Sequence, residues 1–422
     1  MPTRHLRPSD LRAAAALATQ ATHGIAGMTE AVHQSVLGAM GAQAAAPGRT
    51  RGLTGYVYRA VHGVTALLGK GMQSGFARLE PLLETLVDAP PDTPQREAVL
   101  AALNGVLGDR LADDHNPLAT PMTLRAQRRT LSLRPGMTVD GATDKIMLFT
   151  HGLCMNDLQW QQRPGPDGAP GSDPWQALAV PLGYTPVYLR YNSGRHISQN
   201  GRELATLLAQ LLQNWPVEVR ELTVVAHSMG GLVVRSAVDI AQGQAQHWPS
   251  RLKNIFFLGT PHHGAPLERA GNGIDLLLGS SSFSAPLAKL GQLRSAGITD
   301  LRYGFTADAD WLGRDRFRRQ PDQRQPMPLP AGVACHAIAA TTGTRRSLLA
   351  ERLLGDGLVP LRSALGQHDD PARSLAFRPQ DQAIAYRTSH IQLLSDPEVV
   401  RTVGAWLTRS GPVTRSTPPD SR

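Results

Sequence analysis

A serine stands where a buried strand is predicted to turn sharply into a helix. Residues 222–226 form an apolar run typical of a buried parallel strand, and an amphipathic helical pattern begins at Gly230. Ser228 falls between them in Ala226-His-Ser-Met-Gly230, which differs from the nucleophile-elbow pattern G-x-S-x-G by one methyl group. Such a turn leaves a serine hydroxyl accessible at the carboxyl edge of the sheet, so we interpret Ser228 as a nucleophile.

A serine nucleophile needs a general base and an acid that orients the base. Asp356 lies between two glycines in a turn that follows a predicted strand and its loop, and His390 lies before the last predicted helix. The order Ser, Asp, His is the one associated with an elbow serine. Imidazole can take the serine proton while the carboxylate fixes the tautomer of the ring. We therefore predict that Ser228, Asp356 and His390 form a catalytic triad.

Other residues of the same types compete for the two supporting roles. The competitors are Asp369 and Asp370 for the acid, and His262, His263, His336 and His368 for the base. The two aspartates sit in a polar loop with no strand end immediately before them. The first two histidines precede the acid and break the chain order, and the third lies within a predicted strand.

Two backbone amides are expected to stabilise a developing oxyanion. One is the N–H of Met229, at the positive end of the elbow helix, and the other is the N–H of Leu153 after a predicted strand. The glycine before Leu153 lets the backbone turn this amide toward the nucleophile. The candidates for contacts with a substrate are His151, Gly152, His227 and His262. His227 cannot act as the base because the side chain before the nucleophile points away from it.

The chain around these motifs alternates between predicted strands and helices. Strands are predicted at about 144–150, 185–191, 222–226, 254–259 and 333–341, and two short ones between 122 and 134. Asn200 is predicted to cap a helix from Gly201 to about Gln213, and a last helix runs from Pro397 to about Thr408. This alternation implies right-handed crossovers and a mostly parallel sheet flanked by helices.

Residues from about 140 to 408 resemble an α/β-hydrolase of the lipase and esterase type, similar to bacterial lipases and to the GPI inositol-deacylase-like group. The matching pieces are His151-Gly-Leu153, Ala226-His-Ser-Met-Gly-Gly231, Gly259-Thr-Pro-His-His-Gly264, Asp356-Gly-Leu-Val-Pro360 and Ser389-His390. The resemblance implies an α/β-hydrolase fold that hydrolyses carboxylic esters, with an acyl-ester or lipid-like substrate and neither cofactor nor metal. A thioesterase or an acyltransferase with the same triad, or a non-catalytic interaction protein of this fold, are the alternatives.

The pattern divides the chain into a helical N-terminal region, a catalytic domain and a tail. We predict boundaries of 1–115, 116–408 and 409–422, with a disordered tail. Residues 265–331 are too long for a plain connection and are predicted to form an inserted cap or lid, with short helices at 274–278 and 287–293. A structural insertion on the rim of the domain is the alternative.

The N-terminal region has three predicted helices, which begin near Ser9, at about Leu53 and at Pro94. They could cover the hydrolase sheet, form an oligomerisation or docking element, or bind a surface as a helical hairpin. The second has an apolar stripe flanked by Arg59 and Lys70, so peripheral contact with an anionic membrane is an alternative. Its glycines and the alanine-rich first helix favour packing within the protein or between subunits. No oligomeric state follows from the sequence.

Composition narrows the class of protein further. The formal charge is +9, but the arginines are scattered and no nucleic-acid-binding motif accompanies them, so a solvated basic surface is expected. The two cysteines, Cys154 and Cys335, cannot form a disulfide scaffold and are predicted to be buried thiols. No signal peptide and no apolar run of ~18 residues is seen, so a cytoplasmic protein is expected.

Overall fold

A computed structural model describes residues 94–161, 173–265, 294–316, 318, 321–344 and 355–409. Its strands are Thr123–Ala126 (β1), Arg129–Thr130 (β2), Lys145–Thr150 (β3), Tyr184–Arg190 (β4), Glu221–His227 (β5), Leu252–Leu258 (β6), Ala334–Thr341 (β7) and Gln382–Tyr386 (β8). They form one sheet in the order β2-β1-β4-β3-β5-β6-β7-β8. Strands β3 to β8 are parallel to one another, whereas β1 pairs antiparallel with β2 and β4.

Helices connect and flank the strands. They are Pro94–Asp113 (α1), Pro174–Ala179 (α2), Ile197–Asn214 (α3), Met229–Gly243 (α4), Ala296–Asp300 (α5), Leu361–Ala364 (α6) and Pro397–Arg409 (α7). The mostly parallel sheet flanked by helices that the sequence predicts is therefore confirmed.

The central strands are mostly apolar and buried because both faces of the sheet are covered. On β5 and β6, Val225 and Phe256 are fully buried. On one face an aromatic cluster surrounds Phe149 of β3, whose ring centroid lies 5.2 Å from that of Trp160 and 6.0 Å from that of Trp175. The indole N–H of Trp175 donates to the Leu394 carbonyl at 2.7 Å, so the segment before α7 is fixed to this core.

Two details differ from the sequence-based expectation. Strand β8 was not predicted, because its five residues alternate weakly and only one of them is fully buried. Helix α3 begins at Ile197 rather than Gly201, and Asn200 lies inside it and donates to the Asn192 carbonyl at 2.9 Å. The first turn is capped instead by Asp300, whose carboxylate accepts from the Ile197 N–H at 2.8 Å. A cap from so distant a residue leaves no local sequence pattern.

Several predicted elements lie outside the described residues. They are the N-terminal helices before Pro94, the short helices at 274–278 and 287–293, and the tail after Arg409. No helix in the described ranges combines the length and apolarity that crossing a bilayer requires.

Contacts divide the chain into two compact units. Residues 98–110 and everything from Thr120 onward belong to the unit that contains the sheet. The described parts of the smaller unit are 94–97 and 111–119. Within it, the Asn116 side chain accepts from the Leu118 N–H at 2.9 Å and so forms a local turn.

Helices α3 and α4 pack closely at Gly201. A Cβ atom on this glycine would lie 2.4 Å from the Ser236 Oγ and 3.1 Å from the backbone nitrogen of Ala237. Ser236 is fully buried, so it has no free space into which to move. The absence of a side chain at position 201 therefore permits the close approach of the two helices.

We expect Gly201→Ala to lower the free energy of unfolding by about 1–3 kcal/mol, because the added methyl group overpacks this contact. Gly243→Ala is the matched control, since nothing lies within 4 Å of a Cβ atom there. Because Gly243 is the last residue of α4, this substitution is expected to change the free energy of unfolding by less than about 0.5 kcal/mol. Chemical denaturation of the full chain measures both changes. Equal effects of the two substitutions would contradict the proposed contact.

Candidate functional site

Ser228 occupies a strained turn between β5 and α4. Its φ of 54° and ψ of −128° are rare for a residue with a side chain. The backbone N–H of Ser228 donates to the Leu258 carbonyl at 2.8 Å, which ties the turn to β6. The two glycines that follow permit close contacts, since a Cβ on Gly230 would lie 2.5 Å from the His151 carbonyl oxygen. The predicted elbow is thus present in the backbone, with the serine at the carboxyl edge of the sheet.

Asp356 is held in a tight turn after β7. Gly355 has a φ of 49°, and a Cβ on it would lie 2.1 Å from the Val359 carbonyl oxygen, so only glycine fits. The Oδ1 of Asp356 accepts from the backbone N–H groups of Leu358 and Val359 at 2.9 and 2.7 Å. These bonds fix the carboxylate and leave Oδ2 available to another donor.

His390 is the donor to the Oδ2 of Asp356. Its Nδ1 lies 2.6 Å from Asp356 Oδ2, and the two residues are 2% and 1% exposed. The backbone N–H of His390 also donates to the Asp356 carbonyl at 3.1 Å. Because a carboxylate can only accept, Nδ1 carries the proton and Nε2 is the basic nitrogen of the ring.

His227 connects this pair to the elbow. Its Nε2 donates to the His390 carbonyl at 2.9 Å, and the two ring centroids are 4.7 Å apart. Burial lowers the pKa of His227 well below its usual value, so the ring is neutral. Within the described chain no hydrogen bond joins the Ser228 hydroxyl to His390.

The backbone around Gly152 lies directly against the serine. A Cβ on Gly152 would be 2.9 Å from the Ser228 Cβ and 3.3 Å from its Oγ. Leu153 and Met229 are buried, and neither backbone N–H donates to another group in the described ranges. Buried amides without an acceptor are rare, so these two are available to an oxygen atom of a bound molecule.

His151 fixes the conformation of the loop that carries Gly152. Its Nδ1 donates to the Gly152 carbonyl at 2.9 Å, and its ring stacks on Tyr191 with centroids 4.3 Å apart. The Tyr191 hydroxyl donates to the His151 carbonyl at 2.8 Å. Burial lowers the pKa of His151 to about 4, which keeps the ring neutral. The part played by Tyr191 was not predicted, although a polar side chain at a strand's carboxyl end is a usable signal.

The predicted substrate contacts differ in their surroundings. His151, His227 and His262 are fully buried, and their contact with a substrate stays a prediction. Gly152 lies beside Ser228, as described above.

The competing acids and bases have other partners. Asp369 is on the surface and accepts from Arg362 at 2.6 Å, which lowers the pKa of its carboxyl group. Asp370 caps a short turn at Ala372. Of the histidines, His336 lies 3.2 Å from Asp381 and stacks on Phe256.

Among the described residues no group of three or more His, Cys, Asp and Glu side chains is placed to hold a metal ion. Cys154 and Cys335 are buried free thiols, and burial raises the pKa of each to about 12. Such thiols are poor nucleophiles at neutral pH.

Comparison with known proteins gives one family and several solved structures. Residues 192–321 match the family described as PGAP1-like alpha/beta domain, a range that includes Ser228 but neither Asp356 nor His390. No curated protein matches the sequence.

Solved structures that resemble the chain include the mature lipase BlEst2 of Bacillus licheniformis, with 19% identity, a TM-score of 0.39, and coverage of 68% of this chain and 97% of that one. The Pyrococcus furiosus esterase Pf2001 has 13% identity and a TM-score of 0.36, and the match covers 69% of this chain and 92% of the esterase. The RedJ thioesterase of Streptomyces coelicolor has 14% identity and a TM-score of 0.34, and the match covers 67% of this chain and 97% of the thioesterase. At such identities no activity is transferred from these proteins.

The buried, neutral His151 predicts a pH dependence of stability. The His151 side chain takes up a proton near pH 6.5 in the unfolded chain but only near pH 4 in the folded one. The contribution of the neutral ring to stability is therefore complete above about pH 6.5 and is lost as the pH falls toward 4. We expect the gap in unfolding free energy between wild type and His151→Gln to narrow by about 2 kcal/mol between pH 7.5 and pH 5. Urea unfolding measures it.

The control for this prediction is His247→Gln, which changes an exposed histidine. Its gap to the wild type is expected to be the same at both pH values. A constant gap for His151→Gln as well would mean that the buried ring is not held neutral.

Proposed function

We propose that this chain, which has the fold of an α/β-hydrolase, is a serine hydrolase that cleaves carboxylic esters of acyl or lipid-like substrates. The observation that carries the proposal is the 2.6 Å hydrogen bond between His390 and the buried Asp356, beside a serine in an elbow with a φ of 54°. Asp356, His390 and Ser228 follow the parallel strands β7, β8 and β5, whose carboxyl ends lie along the same edge of the sheet.

The reaction begins when the Ser228 Oγ attacks the ester carbonyl carbon. Nε2 of His390 takes the hydroxyl proton as the new C–O bond forms, and the carbonyl oxygen becomes an oxyanion. Collapse of this tetrahedral intermediate expels the alcohol, which receives the same proton from the imidazolium. An acyl-enzyme on Ser228 is left, and water activated by His390 hydrolyses it to the free acid.

Asp356 acts on the ring rather than on the substrate. Its two backbone hydrogen bonds fix the position of the carboxylate, whose negative charge stabilises the imidazolium that forms in each step. The same carboxylate keeps the proton on Nδ1 of His390, so that Nε2 has a free lone pair and can act as the base. Its burial strengthens this electrostatic interaction because little water screens it.

The backbone N–H groups of Leu153 and Met229 are proposed to bind the oxyanion. Met229 is the first residue of α4, where the helix dipole adds positive potential. One such donor is typically worth about 2.7–4 kcal/mol of transition-state stabilisation. His151 and Tyr191 are assigned a positioning role, because they hold the loop that presents the Leu153 amide.

The decisive experiment compares the triad variants with a serine control. Ser228→Ala, Asp356→Asn and His390→Ala are each expected to lower turnover of a p-nitrophenyl ester at least about 10³-fold. Fluorophosphonate labelling should disappear in Ser228→Ala. Ser250→Ala, which removes an exposed hydroxyl outside the site, is expected to keep both activity and labelling. Thermal unfolding of every variant checks that the fold is retained.

Retention of wild-type turnover by Ser228→Ala would remove the proposal. If the triad variants lose activity but the wild type releases acid faster from an acyl thioester than from the matching oxygen ester, the thioesterase alternative is correct. Transfer of the acyl group to an added alcohol instead of water identifies an acyltransferase.

A further inference from the structure

We infer that Ser193 and helix α1 position the Leu153 amide that the proposed function assigns to the oxyanion. The inference rests on that proposed function and adds two elements to it. Ser193 lies in the loop after β4, and residues 98–110 of α1 belong to the compact unit that contains the sheet. Both contact Cys154, the residue after Leu153. They act through the backbone, so their role is positioning rather than catalysis.

Cys154 has an uncommon backbone conformation. Its φ is 58°, in the left-handed region that favours glycine, and the residue is buried. A residue with a side chain keeps such a φ only where the surrounding structure holds it. The peptide unit that joins Leu153 to Cys154 is planar, so contacts that fix the Cys154 nitrogen also restrict Leu153.

The Ser193 hydroxyl holds that nitrogen. The Cys154 N–H donates to the Ser193 Oγ at 3.0 Å, and Ser193 is 1% exposed. Within the described ranges this oxygen is the one acceptor of the Cys154 N–H. Without the hydroxyl the amide would be buried and unsatisfied, which is unfavourable enough for the loop to shift toward another acceptor. The shift would carry the Leu153 amide with it.

Helix α1 packs directly on the same residue. A Cβ on Gly105 would lie 2.2 Å from the Cys154 Sγ and 2.9 Å from both its Cα and its backbone nitrogen. The Ser295 hydroxyl donates to the Gly105 carbonyl at 2.6 Å, which fixes this turn of the helix. Any side chain at position 105 would therefore press on the backbone of Cys154.

Helix α1 is also bonded to the loop that carries Ser193. The Asn192 Nδ2 donates to the Gly108 carbonyl at 2.8 Å, and the Asn192 Oδ1 accepts from the Gly194 N–H at 3.0 Å. A Cβ on Gly194 would lie 2.1 Å from the Asn104 carbonyl oxygen. The helix and the Ser193 loop thus form one packed support for Cys154.

The Leu153 amide is therefore fixed through both of its neighbours in the sequence. On one side, Gly152 lies against Ser228 and its carbonyl accepts from the His151 ring. On the other side, Cys154 is held by Ser193 and α1. A displacement of about 1 Å at a positioning group can lower a rate about 100-fold, so the support from α1 and Ser193 has a measurable effect on turnover.

The first test is Ser193→Ala in the full chain. We expect kcat for a p-nitrophenyl ester to fall about 10–100-fold while KM stays within about threefold, because an oxyanion donor acts in the transition state. Inhibition by a trifluoromethyl ketone, which adds to the serine as a tetrahedral oxyanion, is expected to weaken by a similar factor. Ser198→Ala is the matched control, since that hydroxyl is equally buried and donates to Asp308 at 2.6 Å. It is expected to lower Tm but to keep kcat and the inhibition constant.

The second test is Gly105→Ala, which presses on Cys154 from α1 and is expected to lower kcat in the same way. Gly243→Ala adds a methyl group where nothing lies within 4 Å and should keep the wild-type kcat. Hydrogen exchange of the peptide covering residues 151–156 is expected to be faster in Ser193→Ala and Gly105→Ala than in the wild type, a readout that does not depend on ester turnover.

The outcomes separate this inference from the proposed function. Wild-type turnover in Ser228→Ala would remove the proposed function and this inference with it. If Ser228→Ala is inactive but Ser193→Ala and Gly105→Ala keep the wild-type kcat and inhibition constant, only the inference is overturned. Unchanged hydrogen exchange at residues 151–156 in both variants would also overturn it.

Discussion

The left-handed backbone at Ser228 is the constraint on which the rest of the site depends. A positive φ at a residue with a side chain is unfavourable by about 1–3 kcal/mol, and it persists only if the neighbouring structure holds it. Here the hydrogen bond from the Ser228 N–H to the Leu258 carbonyl on β6 and the close backbone contacts at Gly230 keep this conformation in place. Packing on both sides of the sheet therefore supplies the free energy that keeps one hydroxyl at its edge.

Histidines do most of the positioning around that turn. His151 braces the loop beside the serine, and His227 bonds the carbonyl of His390. Burial lowers the pKa of both, so each presents one N–H and one lone pair without a charge. A neutral imidazole can join two backbone segments in a dry interior at far lower desolvation cost than a charged side chain. This explains why so many histidines lie near a single serine.

Local sequence patterns were sufficient for most of the sheet and for the sharp turn at Ser228. The turn at Ser228 follows from apolar periodicity with small residues, and chain order selected the same Asp356 and His390 that the structure joins by a hydrogen bond. Their catalytic roles stay predictions. Contacts between distant segments were beyond such patterns, as the capping of Ile197 by Asp300 shows. Strand β8 was missed because four of its five residues are only partly buried and carry too weak a period.

The cap supplied by Asp300 also has a consequence during synthesis of the chain. Helix α3 ends at Asn214, yet the carboxylate that satisfies its first turn is made more than 80 residues later. While the nascent chain is shorter than that, the N–H groups of the first turn of α3 have only water or a local side chain as acceptors. The neighbouring His196, which lies 3.0 Å from the same carboxylate, is likewise without this partner until then. The first turn of α3 therefore reaches its final hydrogen bonding only after Asp300 has left the ribosome.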